Sequence, residues 1–244
     1  MPEARLGTAG WSVPGPSAER FPGPGTHLER YARVMNAVEI NSSFYRPHRL
    51  GTYERWAAST PSDFHFAVKT PRLLTHEQRL AEPEAALDRF ASEIKGLGEK
   101  LGVLLIQTPP SLAFDDAVAT RFFDAVQDRI ASPLAFEPRH ADWFTPDVDA
   151  WMAGRRIARV AADPTPTAGA SEPGGWRGLT YFRLHGAPRI YYSAYEAEAL
   201  AATAKRLARE AAAAPTWCIF DNTAHGHALP NALTVADAWA QEPR

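Results

Sequence analysis

The chain has 244 residues, of which 45% are hydrophobic and 22% are charged, and its formal net charge is −2. This length fits one large domain or two small ones, and the composition is ordinary for a globular protein with a sizeable core. The small net charge excludes a general attraction to nucleic acid or acidic membranes, so any anion site must be local. The single cysteine, Cys218, excludes an intrachain disulfide.

Short apolar runs, each bounded by Gly, Pro or polar residues, recur along the chain and predict β-strands. They cover residues 5–11, 37–45, 65–70, 102–108, 133–140, 158–163, 179–186 and 216–222. None approaches the roughly 20 apolar residues of a membrane span, and the first residues lack the apolar core of a signal peptide. We therefore expect a cytoplasmic protein with no membrane partner.

Helical patterns lie between most of the predicted strands. The clearest are the repeated apolar residues over 87–97 and 118–130 and the high helix propensity of residues 194–214. Weaker helical patterns cover residues 27–36, 50–58, 145–153 and 232–240. Residues 164–178, which are rich in Pro and Gly, predict an irregular loop.

The alternation of strands and helices predicts a parallel sheet, because parallel strands need long crossover connections. Eight strand–helix units in 244 residues match a (β/α)₈ TIM barrel in number and size. No linker divides the chain, so we predict an α/β fold with a single TIM-barrel domain over residues 1–244. An open, doubly wound sheet is the alternative, since periodicity alone does not show whether a sheet closes.

Polar residues stand at the points where the predicted strands end. They are Glu39 with Asn41, Lys69, Gln107, Glu137 with Arg139 and His140, Asp163, Arg183 with His185, and Asp221 with Asn222. In a barrel the C-terminal ends of the strands meet at one mouth, and residues two apart lie on the same face of a strand. A binding site at this mouth would explain Glu39, since an unpaired buried charge is costly.

The chain resembles the YecE-like proteins, catalogued as domain of unknown function 72. The matching segments, in the order of that family, are GTAGW (7–11), VEINSSFYRP (38–47), FHFAVKTPRLLTHEQRL (64–80), KLGVLLIQTPPSLAF (100–114), AFEPRHADWF (135–144), YFRLHG (181–186) and IFDNTAHGHALPNA (219–232). The resemblance extends over nearly the whole chain. It implies a TIM-barrel fold, which supports a closed sheet, and it implies no particular reaction.

Glu39, Glu137 and His185 are the candidate catalytic residues. Carboxylates held rigidly at a cavity serve as general acids or bases, and imidazole exchanges protons near neutral pH. The alternative is structural, because both glutamates would form salt bridges with Lys69, Arg139 or Arg183 if these cations lie at the same mouth.

The cations near the strand ends predict an anionic ligand, because the guanidinium group of arginine matches carboxylate and phosphate groups. The candidate substrate-binding residues are Asn41, Tyr45, Lys69, His76, Arg79, Gln107, Arg139, His140, Trp143, Arg183 and Asn222. For Lys69, a Schiff base with a carbonyl substrate is a further alternative if burial lowers its pKa. The rings of Tyr45 and Trp143 are candidates for stacking on a sugar or base, with aromatic packing as the alternative.

A divalent metal cofactor is a further alternative. Oxygen and nitrogen ligands suited to Mg²⁺, Mn²⁺ or Zn²⁺ occur at Glu39, Glu137, Asp163, His185 and Asp221. No HExxH sequence or pair of CxxC sequences occurs, and no GxGxxG sequence or P-loop indicates a nucleotide cofactor.

The sequence favours an enzyme, either a hydrolase or an isomerase, that acts on a small anionic or sugar-containing substrate at the mouth of the barrel. A non-catalytic metabolite-binding protein would use the same residues, and only turnover of an identified ligand would separate the two. A metal-dependent nucleic-acid phosphoesterase, by analogy with abasic-site endonucleases of barrel fold, ranks third because the net charge of −2 gives it little support.

Overall fold

The computed structural model describes residues 4–165 and 167–241, in which strands and helices alternate. The strands are β1 (Ala4–Thr8), β2 (Ala37–Ile40), β3 (His65–Lys69), β4 (Leu101–Gln107), β5 (Leu134–Glu137), β6 (Ile157–Arg159), β7 (Ala161–Asp163), β8 (Gly174–Gly175), β9 (Thr180–Leu184) and β10 (Thr216–Phe220). The α-helices are α1 (His27–Tyr31), α2 (Ser42–Tyr45), α3 (Leu50–Ala58), α4 (Glu84–Ile94), α5 (Asp116–Arg129), α6 (Pro146–Gly154), α7 (Ala197–Ala211) and α8 (Ala228–Trp239). Short 3-10 helices cover Gly15–Arg20, Lys95–Lys100 and Ala141–Phe144, and a π-helical turn covers Leu73–Glu77. No helix in the described ranges is both long enough and apolar enough to cross a membrane.

Local sequence explains where several helices begin. Before α5, the carboxylate of Asp115 accepts a hydrogen bond from the backbone N–H of Val118 at 3.0 Å. Before α1, Thr26 and Glu29 form a capping box. Helix α6 begins at Pro146, whose missing N–H needs no partner in the first turn. The capping side chains satisfy backbone N–H groups that have no partner within the helix.

Each predicted strand region contains a strand, but some predicted segments differ in extent. The helix predicted over 27–36 is α-helical only to Tyr31. Helix α8 begins at Ala228 rather than 232, because Pro230 falls in its first turn, where proline is tolerated. The predicted loop 164–178 contains the two-residue strand β8.

The strands form two sheets in which most neighbours are parallel. In the larger sheet, β2, β3, β4, β5 and β6 are consecutive parallel neighbours, and β8 pairs with β6 in the antiparallel direction. In the smaller sheet the order is β1, β10, β9, β7, and all pairs are parallel. This arrangement confirms the predicted α/β class with parallel sheets.

At one junction the chain itself passes from one sheet to the other. Strands β6 and β7 are separated only by Val160. The backbone N–H of Val160 donates a hydrogen bond to the carbonyl of Phe136 in β5 at 2.8 Å. Strand β7 then pairs with β9 of the smaller sheet, so the stretch 157–163 borders both sheets.

At the other junction, between β1 and β2, side chains take the place of most backbone hydrogen bonds. The hydroxyl of Tyr31 accepts a hydrogen bond from the N–H of Thr8 at 2.9 Å and donates one to the carbonyl of Ala37 at 3.1 Å. The amide oxygen of Asn36 accepts a hydrogen bond from the N–H of Leu6 at 2.9 Å. Buried backbone groups on both strands are thereby satisfied.

Direct backbone contact between β1 and β2 occurs at the C-terminal end of this junction. Ala9 and Glu39 form an isolated parallel bridge, and the N–H of Gly10 donates to the carbonyl of Glu39 at 2.9 Å. Gly7 lies so close to β2 that a Cβ atom there would collide with the carbonyl of Ala37. The absence of a side chain at Gly7 therefore permits the close approach of the two strands.

Alternate residues of the strands enter two separate apolar clusters. The larger cluster lies between the strands and the helices, and it joins Val68 and Ile106, for example, to Phe90 and Phe122. The smaller cluster, which defines what we call the inner face, contains Ala37, Ala67, Val103, Leu105, Ala135, Ala158, Val160, Leu179, Tyr181, Trp217 and Ile219.

Candidate functional site

Buried polar side chains continue the inner face at the C-terminal ends of the strands. Each of these polar side chains lies two positions after a residue of the smaller apolar cluster, or two positions after another of the polar side chains. Residues two apart lie on the same face of a strand. We call the following set the inner polar cluster: Glu39, Lys69, Gln107, Glu137, Arg183, His185 and Asp221.

Arg183 connects three carboxylates of this cluster and is completely buried. Its Nε and Nη2 atoms donate to the two oxygens of Glu39 at 3.0 and 2.7 Å. Its Nη1 atom donates to Glu137 at 2.7 Å, and Nη2 also donates to Asp221 at 2.9 Å. Burial alone would lower the pKa of Arg183, but the charges of Glu39, Asp221 and Glu137 raise it well above its ordinary value.

Glu137 accepts hydrogen bonds from several donors. Its Oε1 atom lies 2.8 Å from the amide nitrogen of Gln107, 3.0 Å from Nη2 of Arg139 and 3.2 Å from Nε2 of His185. Burial alone would raise the pKa of Glu137, but the charges of Arg183, His185 and Arg139 lower it well below its ordinary value. The carboxylate is therefore ionised throughout the neutral range.

His185 lies between two carboxylates and is 2% exposed. Its Nδ1 atom is 3.1 Å from Oδ2 of Asp221, and its Nε2 atom is 3.2 Å from Oε1 of Glu137. Burial lowers the pKa of His185, but Glu137 and Asp221 together raise it above its ordinary value. When both ring nitrogens carry protons, both donate to carboxylates, so the protonated imidazole adds a further buried cation to Arg183 and Lys69.

Lys69 differs from the other charged members of the cluster in having no paired charge. Its side-chain nitrogen lies 4.2 Å from the centroid of the Phe44 ring, and within the described ranges it has no hydrogen-bond or ion-pair partner. The residue is 5% exposed. Burial and then the charge of Arg183 lower the pKa of Lys69 to about 8, although nearby carboxylates oppose this effect.

We call Tyr45, Arg72, His76 and Arg139 the rim, since Tyr45 and His76 pack against Phe44 and the charges of the two arginines act on His76. The ring of His76 packs edge-on against Phe44, with centroids 5.0 Å apart. Burial and then the positive charges of Lys69, Arg72 and Arg139 lower the pKa of His76 to about 4. His76 is therefore neutral at pH 7, and the same three positive charges favour a negatively charged ligand.

Three other predicted binding residues follow strands β2 and β3 in the chain. Tyr45 is 73% exposed. Asn41 follows Glu39 at the end of β2, and its buried amide oxygen has no partner within the described ranges. Arg79 is exposed and donates to the hydroxyl and the carbonyl of Ser111 at 3.1 and 2.8 Å, which ties together the loops after β3 and β4.

The structure corrects the prediction that Trp143 stacks on a ligand. Trp143 is 1% exposed and belongs to the core between strands and helices. Its Nε1 atom donates to the carbonyl of Leu112 at 2.9 Å, and its ring packs edge-on against Phe114 and Phe136. The ring and its only polar atom are therefore not available to a substrate.

Three further candidates have local partners away from the inner polar cluster. His140 precedes a 3-10 helix, where its Nδ1 atom accepts a hydrogen bond from the N–H of Asp142 at 3.3 Å. Asn222 is fully buried and donates to the carbonyl of Ser193 at 2.9 Å and to Asn231 of α8 at 2.8 Å. The carboxylate of Asp163 accepts a hydrogen bond from the hydroxyl of Tyr195 at 2.7 Å.

Three of the five candidate metal ligands are arranged around a side-chain cation. Glu39, Glu137 and Asp221 all accept hydrogen bonds from Arg183. Within residues 4–165 and 167–241, no group of three or more His, Cys, Asp or Glu side chains is arranged to hold a metal ion. The three carboxylates would have to leave the guanidinium group before they could bind one.

A family model matches residues 5–244 of the chain, and its description reads "Protein of unknown function DUF72". The chain belongs to the DUF72 family. This finding confirms the resemblance that the sequence motifs indicated.

Curated relatives of this DUF72 chain are similar to part of it. The UPF0759 protein YecE from Escherichia coli (strain K12) is 26% identical over an alignment of 151 residues, and the match covers 59% of this chain and 55% of the relative. The UPF0759 protein YunF from Bacillus subtilis (strain 168) is 28% identical over an alignment of 136 residues, and the match covers 49% of this chain and 44% of the relative. The match thus spans about half the length of these relatives.

Solved structures of DUF72 family proteins resemble the whole chain. One from Enterococcus faecalis V583 has a TM-score of 0.82 at 20% identity and covers 99% of this chain and 97% of that one. One from Thermotoga maritima MSB8 has a TM-score of 0.78 at 23% identity and covers 98% of this chain and 99% of that one. At these identities the comparison shows a shared fold.

Aromatic residues of this DUF72 chain also contact the cluster, and sequence reasoning missed them. Tyr181 donates its hydroxyl to Glu39 at 3.0 Å, and its position two residues before Arg183 could have indicated this. Tyr191 places its ring edge-on against His185, with centroids 5.7 Å apart, and its φ of 70° is unusual for a bulky residue. It lies in an exposed loop without periodicity, so no sequence signal pointed to it.

Proposed function

We propose that this protein is an enzyme that binds a small anionic substrate above the inner polar cluster. The observation that carries the proposal is Lys69, a buried cation that has no hydrogen-bond or ion-pair partner in the described part of the chain. An unpaired buried charge is costly, so a ligand that supplies a negative charge would stabilise this arrangement.

The charges around Lys69 support an anion rather than a cation as the ligand. Each of the nearby carboxylates Glu39, Glu137 and Asp221 is already paired with Arg183. Arg139 pairs with Glu137 but keeps 21% of its side chain exposed, so it remains open to a second anion. Tyr45 on the rim offers a ring surface, which suits a sugar that carries the anionic group.

The catalytic assignment that we propose differs from the one expected from sequence. The lowered pKa of Glu137 makes it a weak base and leaves no proton to donate at neutral pH. Lys69, with its pKa of about 8, exchanges a proton near neutrality. We assign Lys69 the reactive role in a hydrolytic or isomerising reaction, and Arg183 and His185 the role of holding the carboxylates.

Non-catalytic binding of a metabolite is the second candidate function. It is favoured by the complete pairing of Glu39, Glu137 and Asp221, which resembles a structural ion-pair network. Turnover of a bound sugar phosphate, followed by NMR, would distinguish an enzyme from a binding protein.

For the fold, we propose a single domain in which the two sheets close into one (β/α)₈ barrel. The hydrogen bond from Val160 to Phe136 and the pairing of β7 with β9 support closure on one side. The Ala9–Glu39 bridge and the Tyr31 hydroxyl support it on the other. A closed barrel would also explain the separate inner apolar cluster, since small barrels are filled by alternate side chains.

Thermal unfolding with added phosphate tests the anion site. We expect phosphate to raise the Tm of the wild-type protein in a saturable way, because a ligand of the folded state stabilises by about 2.7 kcal/mol at 100 times its Kd. Sodium chloride at the same ionic strength should give a smaller shift. The shift should be lost in Lys69→Gln and retained in Lys205→Gln, where an exposed lysine is changed.

The proposal fails if phosphate and sodium chloride give equal shifts in the wild-type protein. It also fails if Lys69→Gln and Lys205→Gln respond to phosphate alike, because binding would then not involve the buried ammonium group.

A further inference from the structure

We propose that Lys69 is a nucleophile that forms a Schiff base with the aldehyde or ketone group of a small substrate that also carries an anionic group. The inference rests on the proposed function and names its substrate class. Its geometric basis is the placement of the amine at the C-terminal end of β3, on the inner face and against the ring of Phe44, without a hydrogen bond in the described ranges.

The surroundings of Lys69 explain why its amine is free to react. Glu39 from β2, Glu137 from β5 and Asp221 after β10 are held by Arg183 from β9, so none of them pairs with the ammonium group. The three carboxylates and Arg183 thus place both negative and positive charge near the amine. Phe44 of α2 and the neutral His76 of the π-helical turn also lie near the amine and add no charge. Burial and Arg183 outweigh the carboxylates, and the pKa is about 8.

The other lysines of the chain provide an internal comparison. The side-chain nitrogen of Lys100 donates hydrogen bonds to the carbonyls of Ala57 and Thr60, both at 2.6 Å, and is thus engaged. Lys95 and Lys205 are exposed. Lys69 therefore combines burial with the lack of a hydrogen-bond or ion-pair partner among the described residues, and a desolvated lysine of this kind is activated as a nucleophile.

The chemical step needs no additional reactant. The lone pair of the neutral Lys69 amine forms a bond to the carbonyl carbon, and the carbonyl π electrons move to the oxygen. The resulting carbinolamine loses its hydroxyl group with a proton as one water molecule, while a carbon–nitrogen double bond forms. Both hydrogens lost from nitrogen leave in that water, and no atom is oxidised or reduced.

One proton taken up from water converts this imine into its protonated form, which suits the isomerising reaction of the proposed function. It withdraws electrons from the neighbouring carbon, which makes a proton on that carbon easier to remove. The carboxylates of Glu39 and Asp221, which favour the charged form of Lys69, would favour the iminium cation in the same way. Arg139 at the rim would contact the anionic group of the substrate.

Reductive trapping on the wild-type protein tests the inference. The protein is incubated with glyoxylate, or with glycolaldehyde phosphate, and sodium cyanoborohydride at pH 7.5, and the modified lysines are located by peptide mass spectrometry. At this pH, a pKa of about 8 gives Lys69 a neutral fraction on the order of 100 times that of an ordinary lysine. We expect trapping at Lys69 well before Lys95 and Lys205, and slower trapping with uncharged glycolaldehyde.

Equal trapping at Lys69, Lys95 and Lys205, or no trapping at Lys69, would overturn the Schiff base. Lys69→Arg separates this failure from failure of the anion site, because arginine keeps the positive charge and cannot form the imine. Retained phosphate stabilisation in Lys69→Arg without trapping at Lys69 in the wild-type protein would leave anion binding standing and remove the Schiff base.

Discussion

At the residue scale, Lys69 lies in surroundings that oppose its own charge. Its pKa falls from 10.5 to about 8 in the folded protein. Since one pKa unit corresponds to about 1.36 kcal/mol, this shift costs roughly 3 kcal/mol of folding stability at pH 7. Between pH 8 and pH 10.5 the unfolded chain binds more protons at this site, so its contribution makes stability rise with pH in that window.

Replacing Lys69 by methionine should therefore stabilise the protein. We expect Lys69→Met to raise the free energy of unfolding by about 1–3 kcal/mol at pH 7, measured by urea denaturation, because a buried charge is removed and the volume is nearly kept. The gain should fall toward zero at pH 10. The exposed Lys205→Met variant should stay within about 0.5 kcal/mol of the wild type.

The opposite result would assign Lys69 a structural role. If Lys69→Met is less stable than the wild type at pH 7, then the ammonium group contributes to the fold through contacts with the cluster. The lack of a paired charge at Lys69 would then no longer support the proposal of a bound anion.

At the element scale, the junction between β1 and β2 depends on side chains from outside both strands. The hydroxyl of Tyr31 links the backbone of Thr8 to that of Ala37. Gly7 permits the close approach that brings these groups within reach. The geometry of the junction is thus specified by single side chains rather than by a continuous backbone ladder.

Two buried tyrosines allow a matched test of this junction. Tyr31→Phe leaves the N–H of Thr8 and the carbonyl of Ala37 without this partner, which should cost about 1–3 kcal/mol. Tyr53 is equally buried, but its hydroxyl has no hydrogen-bond partner in the described ranges. We expect Tyr53→Phe to be neutral or slightly stabilising in the same urea denaturation. Equal losses in both variants would show that the Tyr31 hydroxyl does not hold the strands together.

At the scale of the whole molecule, the inner polar cluster connects strands from both sheets. Arg183 of β9 binds Glu39 of β2 and Glu137 of β5, as well as Asp221 after β10. The pKa values of Glu137 and Asp221 are lowered, so their contribution to stability is present above their unfolded values of 4.5 and 3.8 and is lost as pH falls through the folded values. His185 acts in the opposite sense, because its raised pKa contributes stability below 6.5 that is lost at higher pH.

Removing the central cation should destabilise the whole fold. We expect Arg183→Met to lower the free energy of unfolding by about 3–5 kcal/mol at pH 7, since buried carboxylates lose their partner. The difference from the wild type should shrink as pH falls from 7 toward 4, because unpaired buried carboxylates take up protons. Arg20→Met, which breaks an exposed ion pair with Asp237, should leave the stability close to that of the wild type. A small, pH-independent effect of Arg183→Met would contradict this account.

The sequence by itself determined the order of the elements and the positions of Glu39, Glu137 and Arg183 at the ends of their strands. These features depend on local periodicity, because alternation within a strand assigns each side chain to one of two faces. The segments that match the DUF72 family could also be recognised from the sequence alone.

Only the tertiary structure decided which of these side chains contact each other, how deeply they are buried and how their pKa values shift. Arg183 and Glu39 are 144 positions apart, and nothing local indicates that their groups lie 2.7 Å from each other. Lys69 has no ion-pair partner in the described part of the chain because Arg183 already holds the nearby carboxylates. Trp143 is buried because Phe114 and Phe136 pack around it. The burial and the pKa of a side chain depend on its distances from groups that are remote in the chain. They therefore cannot be predicted from the periodicity within one strand.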